Sequence, residues 1–250
     1  VEGAMEVELS MTAFIESMEE GLKEYVIRRT ISTPLKPGFF VSIADKSDEE
    51  ENKLFLARGF QRLFGTLLWA ARGAFIECLE GCSMLGRLMG KPTEEAWEGA
   101  CHMMTYMIQH KTNCIRYSSE GNSLPVAFVD SSNKADPSDG KCQYGYAHLW
   151  MGGAVIAVSK KLAHVGLSAA HNEYMAAHWA NRHTAWFRDL LEEMGIAEIG
   201  RTPIVTYADN RAANLLCEED IVTCGNQFMQ IPYHFNKEAI SRGIARHRRT

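Results

Sequence analysis

Three carboxylates stand where chemistry could be done. Asp130 closes the apolar run PVAFVD at residues 125–130, and Asp209 closes PIVTYAD at 203–209. Each run is a strand pattern that delivers an acid to its C-terminal end, where open α/β sheets gather their ligands. Glu173 lies in the first turns of a long helical stretch, residues 168–194. The three are far apart in the chain, so only a fold could join them. Joined, they would repel one another unless a cation sat between them, and an all-oxygen donor set suits hard Mg²⁺. Two such ions could activate a water and stabilise the leaving oxygen of a phosphodiester. The competing reading is that a strand-end Asp forms a turn or caps a helix.

The elements that must position these acids begin near residue 124. Strand patterns cover 125–130 and 142–158, with turns at 136–140 and Gly152-Gly153. Residues 168–194 then read as one helix, with Met175, Trp179, Trp186 and Leu190 sharing a face. PIVTYA is a further strand, and helix returns after Asp209. This order describes an α/β domain with a mixed sheet. Ahead of it the chain is mainly helical. Residues 8–24 carry Met11, Phe14, Ile15 and Met18 on one helical face, with Ser10 as the expected N-cap. Residues 32–38 (STPLKPG) form an extended connection, and 45–53 (DKSDEEENK) a solvated loop or helix start. Leu63, Leu67 and Ala70 with Phe64, Leu68 and Ala71 make a wide apolar stripe. Thr93 caps a helix carrying Trp97, Cys101, Met104 and Ile108, and residues 118–123 (SSEGNS) are a polar linker.

Composition sets the outer bounds. The 250 residues are 46% hydrophobic and 23% charged, which excludes wholesale disorder and allows a buried core. The formal charge of −5 argues against nucleic-acid binding by bulk positive charge, but residues 1–53 alone carry −6 and the last seven carry +3. The seven cysteines include no C-x-x-C pair, so free thiols in a reducing compartment are expected rather than a zinc site. His171, His178 and His183 lie on the long helix without the i, i+4 spacing of a zinc pair. Trp150, Trp179 and Trp186 read as core. No run is apolar enough for a membrane helix and no signal peptide opens the chain, so an intracellular location, cytoplasmic or nuclear, is expected rather than secretion. The chain starts at Val1 rather than Met, which fits a processed product or a piece of a longer translation.

Ordered blocks carry a resemblance. Leu9-Ser10 with Ala13-Phe14-Ile15-Glu16 comes first, then Ser32-Thr33-Pro34-Leu35, Leu63-Phe64-Gly65-Thr66-Leu67-Leu68-Trp69, Pro92-Thr93-Glu94-Glu95-Ala96-Trp97 and Ile115-Arg116-Tyr117. Asp139-Gly140-Lys141 with Gly145-Tyr146, Ser159-Lys160-Lys161, Leu167 to Tyr174 (LSAAHNEY), Tyr207-Ala208-Asp209-Asn210 and Tyr233 to Glu238 (YHFNKE) come after them. Each block is short, but their order over about 235 residues is specific. The chain resembles the C-terminal part of a Ty1/copia-type retrotransposon Pol polyprotein, the end of the reverse transcriptase followed by ribonuclease H.

The resemblance implies an α/β, RNase H-like mixed sheet with flanking helices, preceded by a mainly helical reverse-transcriptase thumb or connection region. Residues 1–120 would be that helical region. Residues 124–243 would be an RNase H-like domain lacking its last strand and helix, and 244–250 a basic tail outside the family pattern. By the resemblance Asp130, Glu173 and Asp209 fall on three metal-binding, catalytic carboxylates of a Mg²⁺-dependent, two-metal hydrolase of RNA in RNA–DNA hybrids. Lys160 and Lys161 could contact phosphates, and Asn133 and Asn210 a ribose hydroxyl, with a solvated turn and helix capping as the plain alternatives. The expected partners are the hybrid and the polymerase palm and fingers, with no membrane. No Asp-Asp pair occurs, so no polymerase centre is expected. A fourth acidic ligand of the family has no counterpart before the match fades after Gly243, so impaired activity is expected. The alternatives are a non-catalytic nucleic-acid-binding or structural remnant of the polyprotein, and an unrelated metal phosphoesterase.

Overall fold

A computed structural model describes residues 5–41, 48–132, 136, 139–166, 168–218 and 230–249. In chain order its elements are β1 (Glu6–Ser10), α1 (Thr12–Leu22), α2 (Glu49–Ala57), α3 (Phe60–Gly73), α4 (Leu79–Leu85), α5 (Glu94–Gln109) and β2 (Cys114–Ser118). Then come β3 (Val126–Ser131), β4 (Gln143–Trp150), β5 (Gly153–Lys161), α6 (Ala169–Glu193), α7 (Ala197–Arg201), β6 (Ile204–Ala208), α8 (Arg211–Glu218), α9 (Gln230–Ser241) and β7 (Ala245–Arg249). The chain divides into two compact units. One is Val7–Arg116, and the rest of the described chain makes the other.

The Val7–Arg116 unit arises from helical periodicity. Phe60, Leu63, Phe64, Leu67, Ala70 and Ala71 bury one stripe of α3 against Met103, Met104 and Met107 of α5 and Ile15 of α1. Thr93 caps α5, its Oγ1 accepting from the Ala96 N–H at 3.3 Å, with Glu94 and Glu95 in the favourable first turn. Asp48 likewise caps α2, so the part of the acidic run inside the described residues starts a helix. The N-terminus differs from expectation. Glu6–Ser10 is a strand paired with β2, and the helix begins at Thr12 with Met11 in the cap position and no side-chain cap bond.

In the second unit the sheet order is β5-β4-β3-β6-β7. β3–β4 and β4–β5 are antiparallel, whereas β3–β6 and β6–β7 are parallel. This is a five-stranded mixed sheet with flanking helices, the α/β architecture that the sequence leads one to expect. The expected 142–158 strand pattern with its glycine turn is the β4–β5 hairpin, turning at Met151-Gly152 rather than Gly152-Gly153. Met151 and Gly152 both have positive φ (54° and 86°), the backbone a two-residue type I′ loop requires. α6 packs across one sheet face, where Met175, Ala176 and Ala180 meet Val129, Tyr144, Tyr146 and Ala208.

Two expectations are corrected here. The family pattern makes residues 244–250 a tail on a domain short of its last strand, yet Ala245–Arg249 pairs in parallel with all of β6. Ala245 and His247 point inward while Arg246, Arg248 and Arg249 are exposed, a strand alternation carried by small and polar residues rather than aliphatic ones. On α6, Trp186 is 55% exposed, so it is not core. The buried stripe runs through Ala177, Ala180, Asn181, Thr184, Phe187 and Leu191, where small and polar side chains let the helix lie close to the sheet.

Candidate metal centre

The parallel register that pairs Phe128 with Tyr207 sets the position of the residues beyond them on each strand. Two residues on, Asp130 and Asp209 stand on the same face at the same end of the sheet, because side chains alternate with period two. Glu173 reaches them from α6. Ser168 starts that helix, its Oγ accepting from the His171 N–H at 3.1 Å. One ligand oxygen from each of Asp130, Glu173 and Asp209 lies within 4.8 Å of the others, with Glu173 buried and the two aspartates exposed.

The Glu173 carboxylate is held from one side only. Its Oε1 accepts from the Ser131 N–H at 3.2 Å and from the Ser131 hydroxyl at 3.0 Å. Its Oε2 is buried and has no hydrogen-bond partner among the described residues. Burial, then the charges of Asp130 and Asp209, push its pKa up to about 7, against the lowering effect of the Ser131 bonds. A buried acceptor without a donor, on a carboxylate beside two more, is unfavourable unless a cation completes it. The three residues therefore fit a hard divalent ion. Beside them Phe128 and Tyr207 stack at 5.2 Å, and with Gly145 and Ala147 they line an open groove of about 410 Å³ that Asp130 and Asp209 border.

The other expected site residues go elsewhere. Lys161 is largely buried and ion-pairs with Asp136 and, at 2.7 Å, with Asp139, so it pins the β3–β4 connection rather than facing solvent. Asn210 caps α8, its Oδ1 accepting from the Ala213 N–H at 3.1 Å. Asn133 lies outside the described residues. Lys160 is exposed at the end of β5. The three helix histidines diverge: His171 stacks on His164, His178 sits between Trp179 and Phe235, and His183 bonds the Tyr146 hydroxyl at 2.9 Å. Ser131 is a site residue that sequence reasoning misses. Its one signal is its place next to Asp130, pointing to the opposite face, where α6 lies.

No protein-family model matches the chain. Over 215 residues it is 23% identical to the "Retrovirus-related Pol polyprotein from transposon TNT 1-94" of Nicotiana tabacum, covering 85% of this chain and 16% of that protein. Over 164 residues it is 28% identical to the corresponding polyprotein from transposon RE1 of Arabidopsis thaliana, covering 65% and 11%. The chain is similar to the C-terminal part of Ty1/copia-type Pol polyproteins. It spans 16% and 11% of the length of these two relatives. Among solved structures, RNase H1 from Halobacterium salinarum NRC-1 aligns with a TM-score of 0.37 and 16% identity, covering 51% of this chain and 83% of that one. Among the described residues no helix is long and apolar enough to cross a membrane.

Proposed function

We propose that the α/β unit is a ribonuclease H-type hydrolase acting on the RNA strand of RNA–DNA hybrids, with Asp130, Glu173 and Asp209 holding Mg²⁺. One observation carries the reading: three carboxylates from two strands and a helix converge within 4.8 Å, and one Glu173 oxygen is buried with no hydrogen-bond partner among the described residues. Bound divalent cations would supply the activation of a water and the stabilisation of the leaving oxygen. The protein's own part is positional. Ser131 fixes one Glu173 oxygen and so aims the other. Phe128 and Tyr207 fix the strand ends that carry the two aspartates. The exposed aspartates leave the centre open to a polymer.

The hybrid, the polymerase palm and fingers, and an intracellular site of action belong to this reading as its partners and setting. Among the described residues three carboxylates make the site, so half-maximal activity is expected only at high Mg²⁺, because ligand charge sets cation affinity. The test is Mg²⁺-dependent cleavage of a labelled RNA–DNA hybrid. Asp130→Asn and Glu173→Gln should each abolish it. Cleavage that survives both changes would defeat the assignment, and salt-sensitive hybrid binding without cleavage would favour the non-catalytic remnant.

A further inference from the structure

A second groove, of about 420 Å³, opens on the α6 side of the sheet and plays no part in the carboxylate centre. Its lining is aromatic and cationic, with no carboxylate: Lys160 from β5, Tyr146 from β4, and Trp179, Arg182, His183 and Trp186 from α6. Residues 179, 182, 183 and 186 share one helix face by their three- and four-residue spacing. The Arg182 guanidinium lies 4.8 Å over the Trp179 ring, which leaves its edge free for an anion. Lys160 and Arg182 have no ion-pair partner among the described residues. Trp186 is 55% exposed on the same groove. The floor is rigid, because the Tyr146 hydroxyl and His183 Nδ1 are bonded at 2.9 Å. Burial, then the charges of Lys160 and Arg182, hold His183 below its usual pKa, so the groove's charge comes from the lysine and the arginine.

We propose that this groove is a single-stranded nucleic-acid site, with a phosphate between Lys160 and Arg182 and a base on the exposed face of Trp186. Two unpaired cations call for an anion, and an exposed indole beside them calls for a flat partner. A nucleotide is both, whereas an acidic peptide satisfies only the first. Ser131, which bonds Glu173, pairs with Tyr144, and Tyr144 pairs with Lys160, so the lysine lies two strands from the serine, about 10 Å away. Arg182 lies nine residues along α6 from Glu173, roughly 14 Å. The two grooves open on opposite faces of the sheet, at the same end of β3 and β4. The proposal extends the nuclease reading without resting on it.

The experiment uses the full chain in EDTA, where no cleavage occurs, and a labelled oligothymidylate of about 12 nucleotides. Binding is read by anisotropy and by quenching of tryptophan fluorescence. The oligonucleotide should quench the parent protein. Trp186→Ala should weaken binding about tenfold and remove most of the quench, and Trp186→Phe should restore part of the affinity, as a stacking role requires. Lys160→Ala and Arg182→Ala should each lower the slope of log K against log salt by about 0.7. These side chains are exposed, so melting curves should stay at parental values. Unchanged binding by Trp186→Ala, or equal competition by polyglutamate, would overturn the proposal. Hybrid cleavage in Mg²⁺ is scored separately. Cleavage without quenching defeats the groove alone, and quenching without cleavage defeats the nuclease reading alone.

Discussion

In the Val7–Arg116 unit, α1, α3, α4 and α5 close on a single apolar cluster, and the buried polar groups are few: Asn52, Thr66, His102 and Thr105. The α/β unit divides its apolar core into three clusters. Between them it buries His148, Asn172, Glu173, His178, Asn181, Thr184, Thr206, Asn236 and His247, among others. One unit is held by burial of apolar surface, which is non-directional. The other spends part of its interior on directional polar groups, and the carboxylate centre lies in that unit. The contrast teaches where specificity resides. A polar core ties particular strands to particular helices, as Ser131 of β3 ties Glu173 of α6 at the centre.

The sharpest way to break the comparison is to remove residues 245–249. Asn181 Nδ2 donates to Asn236 Oδ1 at 3.0 Å and also meets His247 Nε2 at 3.1 Å, while Asn236 Nδ2 donates to the Tyr174 carbonyl at 3.3 Å. All three side chains are nearly or fully buried. Deletion would strip the β6 edge of its parallel partner and take His247 out of this network, leaving Asn181 bonded to Asn236 alone. Each orphaned group costs about 1–3 kcal/mol, so the total approaches the ~5–15 kcal/mol stability of a domain. Hydrogen exchange should show protection lost in β3, β6 and α6 and kept in α3 and α5. Equal protection in both units would show that the basic strand is dispensable.

This strand also marks the limit of what the sequence makes legible. Asp130 and Asp209 are readable because aliphatic and aromatic alternation announces the strands that carry them. The start of α6 is readable because a long periodic segment opens at residue 168, although the cap itself comes from the structure. ARHRR announces nothing, since its inward positions are alanine and histidine, and their partners, Asn181 and Asn236, sit on helices whose large residues draw the eye elsewhere. Trp186 misleads for the same reason: it shares a face with Met175 and Trp179, but the close approach of α6 to the sheet is made by alanines and threonine. The aspartate–lysine pins at Lys161 depend on contacts across a connection, which no local pattern reveals.

Acid should separate the units next. Burial lowers the pKa values of His148, His178 and His247, each to about 4. A depressed histidine binds its proton sooner in the unfolded chain, so stability is full above about pH 6.5 and falls as the pH drops toward 4. The loss is up to about 3 kcal/mol for each. Glu173 works in the opposite sense. Raised to about 7, it adds stability below its unfolded value near 4.5 and withdraws it as the pH rises through 7. Three histidines outweigh one glutamate. Between pH 7 and 4 the α/β unit should therefore lose several kcal/mol more than the helical unit. Urea melts monitored by exchange within each unit would measure this, and parallel losses would refute it.

Glu173→Gln sharpens the comparison within the α/β unit. The amide keeps an acceptor for Ser131 and removes a charge beside Asp130 and Asp209. At pH 8 without divalent ions the variant should be about 2 kcal/mol more stable than the parent, while Mg²⁺ should stabilise the parent more than the variant. A metal-free melt at which the parent is the more stable protein would mean that the three charges do not repel in the folded state.

The smallest effects come from the two helix caps, one in each unit. Thr93→Ala and Ser168→Ala each remove one acceptor from a first helical turn and should each cost about 1 kcal/mol. Their consequences should diverge. Thr93 starts a helix whose buried face is apolar, so its loss should be felt only in melting. Ser168 starts the helix that carries Glu173 five residues later, and the free Glu173 oxygen is aimed by that turn together with Ser131. Ser168→Ala should therefore lower hybrid cleavage severalfold at saturating Mg²⁺, and Ser168→Asn, which caps as well, should recover it. Equal cleavage by both alanine variants would mean that Ser131 alone orients Glu173, and that the helical start contributes stability without contributing geometry.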